Sequence, residues 1–283
     1  MQTQMDSVAI NARIWTRSVV RWAGSKQKLL PTLLRCVPSG YRRYIEPFAG
    51  SACLFFACHP RRAVLGDINP ELLMAYQTLR EHPRQVYRAV AAMPVSRAYY
   101  SQMRSESPET LPPISRTARF IFLTRNCFNG VYRTNKAGIF NVPMGIRTGS
   151  LGSEHLFYRC AIALRAAEFR AGDFEKCMAD VKARDFVYLD PPYAGPSVRF
   201  RGEYGYGTFC NTDLDRLFQS LCRVDRAGAT FLLSYSDEIS ISDWKKKWFY
   251  TSIHVHRHVA GFSEHRRAVR ELLITNRPEL LAV

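Results

Sequence analysis

The tetrapeptide Asp190-Pro191-Pro192-Tyr193 puts three kinds of chemistry side by side. A carboxylate accepts an N–H, two prolines remove backbone donors and aim their carbonyls, and a phenol ring offers a face for stacking. That combination suits a planar base carrying an exocyclic amine. The residues just before it, 185–189, read Asp-Phe-Val-Tyr-Leu. Such a run is a buried parallel strand, and it would deliver the tetrapeptide to the carboxyl edge of a sheet, where open α/β folds keep their ligands. Pro-Pro-Tyr after a strand can equally be a stiff turn with no chemistry. The neighbouring motifs decide between the two.

Glu46-Pro47-Phe48-Ala49-Gly50-Ser51-Ala52 joins a strand to a helix, with a glycine at the bend that lets backbone approach a ligand closely. The chain lacks the G-x-G-x-x-G and P-loop patterns, which weighs against dinucleotide and ATP sites. Asp67 ends the next strand, where its carboxylate can accept both hydroxyls of a ribose. That cue fits NAD and S-adenosylmethionine alike, and an N-cap for the helix opened by Pro70 is the other reading. Asp173 can accept from an adenine amino group or be an ordinary turn acid. Upstream, Arg21-Trp22-Ala23-Gly24-Ser25-Lys26 has the makings of a segment that folds over a ligand, with Lys26 pairing a carboxylate and Trp22 covering an apolar flank.

Short β-branched or aromatic runs, at 44–50, 63–67, 169–173, 186–189, 230–235, 253–259 and 271–275, alternate with helical patterns. This alternation predicts an α/β fold: a mostly parallel sheet with helices on both faces. Asn69-Pro70-Glu71 carries the signature of a helix start. The rhythm breaks over 81–165, where helical patterns (115–126 is the clearest) lead into a Gly/Asn-rich, hairpin-like stretch. That segment holds 12 Lys and Arg against 4 acids, a net +8 of the chain's +16. An excess concentrated in under a third of the length points to a polyanionic partner; a helical lid with a basic exterior is the bland reading. The division expected is therefore a catalytic domain from 1–80 and 166–283, with an insert over 81–165.

With 283 residues, 47% of them apolar, the chain can bury one large core. Its eight cysteines show no C-x-x-C pair and sit mostly in apolar runs, as reduced core residues do. The N-terminus has no signal-peptide pattern, and no apolar run is long enough to span a bilayer. His254, His256, His258 and His265 invite a metal reading, but no acid or cysteine completes a ligand set. Lys245-Lys246-Lys247 reads as a solvated helix face, with phosphate contact second.

Taken in order, WAGSK (22–26), EPFAGSA (46–52), DIN (67–69), RNCFNGVYRTN (125–135), GIFNVP (138–143), GDF (172–174), DPPY (190–193) and ELLITN (271–276) resemble the Dam-type, class alpha N6-adenine DNA methyltransferases over nearly the whole chain. The resemblance implies a Rossmann-like S-adenosylmethionine-dependent methyltransferase sheet with an inserted, mainly helical DNA-recognition subdomain bearing a β-hairpin. It implies methyl transfer to N6 of a flipped adenine in duplex DNA, catalysed by Asp190, Pro191, Pro192 and Tyr193. Its cofactor positions fall on Trp22, Lys26, Glu46, Phe48, Gly50, Asp67, Asp173 and Asp190. Its DNA-contacting positions fall on Arg125, Phe128, Asn129, Val131, Arg133, Asn135 and Pro143. Among these, Phe128 and Asn129 would probe the duplex beside the target, Arg133 would read a guanine edge, and Val131 and Pro143 would touch a thymine methyl. The resemblance further implies S-adenosylmethionine as co-substrate, no metal, and double-stranded DNA as partner. A cognate restriction endonuclease is a candidate second partner for what would be a monomeric, cytoplasmic enzyme of bacterial or phage origin.

Three features depart from the family pattern. Ser25 stands where a second glycine is usual. Met144-Gly-Ile-Arg147-Thr replaces a common Gly-Arg-Tyr. The stretch 195–208 is unusually basic and glycine-rich, with Arg199 and Arg201 among its residues. These leave the catalytic expectation intact and bear on the recognition sequence, for which a GATC-like site is favoured. The remaining alternatives are RNA-adenine or N4-cytosine methylation, a dehydrogenase, and a catalytically inactive DNA-binding module on the same fold.

Overall fold

The fold was described from a computed structural model covering residues 17–135, 138–146, 148–193, 209–236, 241–256 and 268–282. Arg147, the basic stretch 195–208, His258 and His265 lie outside those residues, as do the side chains of His254 and His256.

The strands are β1 (Arg43–Glu46), β2 (Ala63–Asp67), β3 (Ala167–Ala171), β4 (Asp185–Leu189), β5 (Thr230–Ser236), β6 (Phe249–His256) and β7 (Ala268–Thr275). They form one sheet in the order β3-β2-β1-β4-β5-β7-β6. The first five in that order are parallel, while β7 runs antiparallel to both β5 and β6. The chain order reverses between β1 and β4, so the crevice beyond their carboxyl ends is the topological switch point of the sheet. Every residue of β4 is buried. Successive side chains alternate between faces, with Phe186 and Tyr188 in one apolar cluster and Val187 and Leu189 in the other. Each fully buried side chain of this kind contributes roughly 1.5–3 kcal/mol. The strand that ends at Asp190 is thus among the hardest to displace, which suits a residue that must be held still.

The α-helices are α1 (Leu30–Arg35), α2 (Cys53–Cys58), α3 (Pro70–Glu81), α4 (Pro83–Ala91), α5 (Arg97–Ser105), α6 (Pro113–Asn126), α7 (Glu154–Leu164), α8 (Phe174–Met178), α9 (Asn211–Arg226) and α10 (Ser242–Lys247). Asn69 caps α3 as the sequence predicts, its side chain accepting from the backbone N–H of Glu71 at 3.0 Å and Leu72 at 3.4 Å. The cap is therefore Asn69, and Asp67 is left for other partners. Helices α4, α5, α6 and α7 fill the 81–165 segment and share the apolar cluster of the sheet, which runs from Tyr44 and Phe55 through Phe122 to Phe157. Arg116 on α6 grips the buried Glu71 of α3 through two hydrogen bonds, the Nε–Oε2 bond being 3.1 Å long. Between α6 and α7 the chain doubles back through antiparallel bridges, Cys127 with Met144 and Thr134 with Phe140, in place of a regular ladder. On α10, Lys246 pairs with Asp243 at 3.2 Å on an exposed face, and Lys245 and Lys247 lie over the rings of Tyr250 and Trp248. Among the described residues no helix is long and apolar enough to cross a membrane.

Candidate active site

The two strands flanking the switch point end in acids. Glu46 closes β1 and Asp190 follows β4, with Pro191 buried and Pro192 and Tyr193 half-buried beyond it. A short 3-10 turn, Lys26–Leu29, brings Lys26 to Asp190. Its ammonium is 2.5 Å from Asp190 Oδ1 and 3.2 Å from Glu271 Oε1, and it also reaches the Gly24 carbonyl at 3.4 Å. Lys26 is only 8% exposed. Burial alone would lower its pKa, but the charges around it, led by Asp190, hold it well above the ordinary lysine value. The ammonium thus stays charged and keeps a counter-charge on Asp190.

Glu46 is buried and accepts a 2.9 Å hydrogen bond from the Tyr44 phenol. Burial raises its carboxyl well above the usual range, against that hydrogen bond, and nearby Asp190 and Asp67 raise it further. Glu46 is therefore suited to donate a hydrogen bond as well as to accept one. Asp67, at the end of β2, is 8% exposed, and its oxygens accept from the backbone N–H of Gly50 at 3.0 Å and of Asn69 at 2.9 Å. Burial pushes its pKa up to about 6 despite those donors. The bond to Gly50 ties the two ligand-side turns together. Gly50 itself has φ +45°, and a Cβ there would come within 2.9 Å of Trp22 Cδ1. The glycine is required by this close approach as well as by its backbone angle.

Trp22 stacks on Tyr132 at 5.7 Å and lies 6.3 Å from Phe120, so its ring is sandwiched between Gly50 and the insert. The Ala23 N–H donates to the Gly130 carbonyl at 2.9 Å. The segment 21–26 therefore bridges the sheet and the hairpin, as a covering segment would. Ser25, the departure from the family pattern, has φ −49° and needs no glycine; its hydroxyl accepts from Ser51 at 2.9 Å.

Phe48 packs on Phe174 at 5.4 Å and on Phe209 at 6.1 Å, giving an aromatic wall beyond β1. Asp173 stands beside this wall but is already engaged. It caps α8 through the Glu175 N–H at 2.9 Å and pairs with Arg216 at 2.7 Å.

The hairpin gathers most of the other candidates. Phe128, Arg133, Asn135 and Pro143 are exposed, and Asn129 and Val131 are half-buried beside them. Arg133 Nε donates to Asn141 at 2.9 Å, and Asn135 accepts from the Ile139 N–H at 3.0 Å. Asn129 adopts the left-handed φ of 53° ahead of Gly130 at φ 70°, which turns the chain tightly at the base of the hairpin, beside the Cys127–Met144 bridge. Arg125 does not join this group. Its guanidinium turns inward to the Val19 carbonyl at 2.7 Å, and burial, with Arg21 alongside, lowers its pKa to about 10. Ile146, which the sequence did not single out, is 96% exposed just past Met144 and Gly145.

Sequence reasoning also missed two residues beneath Asp190. Glu271 is buried against Lys26, and the Tyr188 phenol is buried with no hydrogen-bond partner among the described residues. Tyr188 was hidden because a strand residue two before a motif reads only as core. Among the described residues, no group of three or more His, Cys, Asp or Glu is placed to hold a metal.

What the arrangement can do chemically is bind a cation-bearing, hydroxyl-rich ligand over Glu46 and Asp67, hold a carboxylate near Lys26, and present Asp190 and Tyr193 to a flat amine. Comparison with known proteins agrees in kind. The family model described as "D12 class N6 adenine-specific DNA methyltransferase" matches residues 22–261. The type II methyltransferase M1.LlaDCHI of Lactococcus lactis subsp. cremoris is 30% identical over 274 residues, which cover 93% of this chain and 96% of that protein. DNA adenine methylase of Escherichia coli strain K12 is 27% identical over 94% of this chain and 97% of its own. The DNA N-6-adenine-methyltransferase of Escherichia phage P1 is 29% identical over 80% of this chain and 31% of its own length.

Proposed function

This chain belongs to the D12 class of N6 adenine-specific DNA methyltransferases, and we propose that Asp190, Pro191, Pro192 and Tyr193 carry its chemistry at the switch point between β1 and β4, with S-adenosylmethionine as methyl donor. DNA is the substrate and N6 of adenine the acceptor.

The donor set fits that co-substrate. Asp67 keeps carboxylate oxygens at the end of β2, where ribose hydroxyls would donate to them, and pays for its burial with only backbone partners. The Asp190 carboxylate suits a sulfonium, the Glu46 carboxyl suits a hydrogen bond to the ligand, and Lys26 suits the amino-acid carboxylate. Trp22, Phe48 and Gly50 would line the apolar flanks, and Asp173 would face the adenine ring beside Phe48. S-adenosylmethionine supplies an electrophilic methyl carbon on its sulfonium sulfur.

The target amine is stacked inside a duplex, so the base must rotate out, at a cost of roughly a few kcal/mol. Phe128, exposed at the base of the hairpin, helps fill the gap left behind. Outside the helix, the Tyr193 ring receives the base by stacking. The Asp190 carboxylate and the Pro191 carbonyl accept the two amine N–H groups. Those bonds localise the nitrogen lone pair and aim it across the crevice. A strong base need not act first: the new N–C bond would form as the methyl's bond to sulfur breaks, leaving a neutral thioether, and the proton would then leave the cationic nitrogen toward the Asp190 carboxylate. Alignment and fixed charge supply most of the rate.

On this reading 1–80 and 166–283 form the catalytic part and 81–165 the target-recognition insert. Arg133 reads a guanine edge, Val131 and Pro143 touch thymine methyls, Asn129 probes the duplex beside the target and Asn135 supports the tip, favouring a GATC-like site. Arg125 contributes from behind by anchoring the base of the hairpin. The enzyme acts as a cytoplasmic monomer, and the likeness to a type II methyltransferase supports a cognate restriction endonuclease as a further partner.

The observation that carries the reading is the placement of Asp190 at the switch point, 2.5 Å from a buried ammonium and next to a half-buried tyrosine ring. Methylating a plasmid with the purified protein and mapping modified bases at single-base resolution tests it. The expected product is N6-methyladenine confined to one short symmetric sequence with an adenine–thymine core. Modified cytosine, or modification of RNA in preference to the duplex, would overturn it.

A further inference from the structure

Glu271 has no assigned role, yet it touches both Lys26 and Tyr193 of the proposed site. It comes from β7, whose antiparallel insertion beside β5 sets Glu271 opposite Ser236, at the carboxyl end of β5. Its side chain is 1% exposed. Oε1 accepts from Ser234 Oγ at 2.5 Å, faces Lys26 Nζ at 3.2 Å, and lies 3.5 Å from the Tyr193 hydroxyl. A carboxylate this buried is costly unless paired, and a buried ion pair adds little net stability over apolar residues of the same volume. Stability is therefore a weak reason for keeping Glu271, and its three partners point elsewhere.

The Lys26 ammonium donates to Asp190 and to the Gly24 carbonyl, and it pairs by charge with Glu271 at 3.2 Å. Without Glu271, the ammonium would lose one of its two neighbouring carboxylates and be free to shift along Asp190. The Glu271 carboxylate also fixes the outer end of the Tyr193 ring, whose inner edge meets Tyr235 at 5.3 Å. We propose that Glu271 is a positioning residue for methyl transfer: it shares the Lys26 ammonium with Asp190 and holds the Tyr193 phenol, so that the Asp190 carboxylate stays oriented toward the incoming amine and the ring stays at stacking height. This rests on the assignment of Asp190 and Tyr193 given above. Glu271 itself touches neither base nor methyl donor.

The test is steady-state and single-turnover kinetics of Glu271→Gln, which removes the charge but keeps the shape, with thermal melting alongside. The expected result is a kcat at least tenfold lower, with KM for S-adenosylmethionine and affinity for duplex DNA within threefold of wild type. A residue that merely supported the fold would lower the melting temperature without that split. Ser234→Ala loosens Glu271 without altering charge, and it should lower kcat at least threefold with KM unchanged; it carries the test should Glu271→Gln not fold. A stability readout stands apart from catalysis: Lys26→Met/Glu271→Gln should melt at a higher temperature than Lys26→Met, because the second change removes the anion stranded by the first. Wild-type kcat in Glu271→Gln, or in Ser234→Ala if that variant must stand in, overturns the proposal. So does a double variant that melts no higher than Lys26→Met. Asp190→Ala, run in parallel, separates the two levels: if it is inactive while Glu271→Gln turns over normally, only this inference falls, and if it is active the site assignment falls.

Discussion

Replacing Asp67 with asparagine should flatten the dependence of stability on pH in the free protein and weaken its hold on S-adenosylmethionine. Burial raises the Asp67 carboxyl from 3.8 to about 6. Between those values the folded protein binds a proton that the unfolded chain does not, so the stability due to this group falls as pH rises through the window. A shift of about 2 units at about 1.4 kcal/mol each amounts to about 3 kcal/mol. Asparagine cannot ionise and lacks this slope. The stability of Asp67→Asn relative to wild type should therefore grow by about 3 kcal/mol between pH 4 and pH 7, read from urea denaturation midpoints at matched slopes. Binding should move the other way. Only the ionised carboxylate accepts from both ribose hydroxyls, and a hydrogen bond to a charged group is worth about 1.5–3 kcal/mol. Calorimetry should thus show wild-type affinity rising with pH through about 6. The variant should bind roughly tenfold to a hundredfold more weakly at neutral pH. Parallel stability curves for the two proteins would refute the reasoning about burial, and unchanged affinity would refute the ribose assignment.

Two further substitutions probe the other walls of the site. Gly50→Ala forces a Cβ to 2.9 Å from Trp22 at a left-handed backbone angle; it should cost about 1–3 kcal/mol, seen as a lower melting temperature, and displace Trp22, seen as a shifted tryptophan emission. Arg133→Ala should relax recognition at one base pair by about 1–3 kcal/mol while sparing the others, read by competition among single-base variants of the mapped site; equal loss on all of them would mean that Arg133 contacts only phosphate.

The parts of the site that were legible in the sequence are those set by local chain chemistry. Asn69-Pro70-Glu71 marked a helix start and Asn69 caps it, and acid-ended apolar runs marked the strands whose carboxyl ends meet at the switch point. What stayed hidden depends on pairing between distant segments. Glu271 lies in an apolar run that reads as one more strand, and only the antiparallel seating of β7 between β5 and β6 brings it to Lys26. Arg125 counts toward the basic excess of the insert, yet the turn of α6 that carries it faces inward, toward the Val19 carbonyl. Nothing near Asp173 in sequence predicts its pairing with Arg216, which arrives from α9. The hairpin was visible as a Gly/Asn-rich break in rhythm. At its base the two arms come close, a Cβ on Gly145 meeting the Cys127 carbonyl at 2.9 Å, while Gly130 is pressed from outside by Arg21 of the covering segment.

The central claim is that the Asp190 carboxylate steers the adenine amine. Single-turnover transfer from labelled S-adenosylmethionine to an adenine-containing duplex, wild type against Asp190→Ala, measures this most directly, with duplex affinity recorded beside it. The predicted outcome is transfer slowed by about a hundredfold or more while DNA binding stays within about threefold, as expected when one preorganised electrostatic contact is lost. Transfer by Asp190→Ala at the wild-type rate would contradict it.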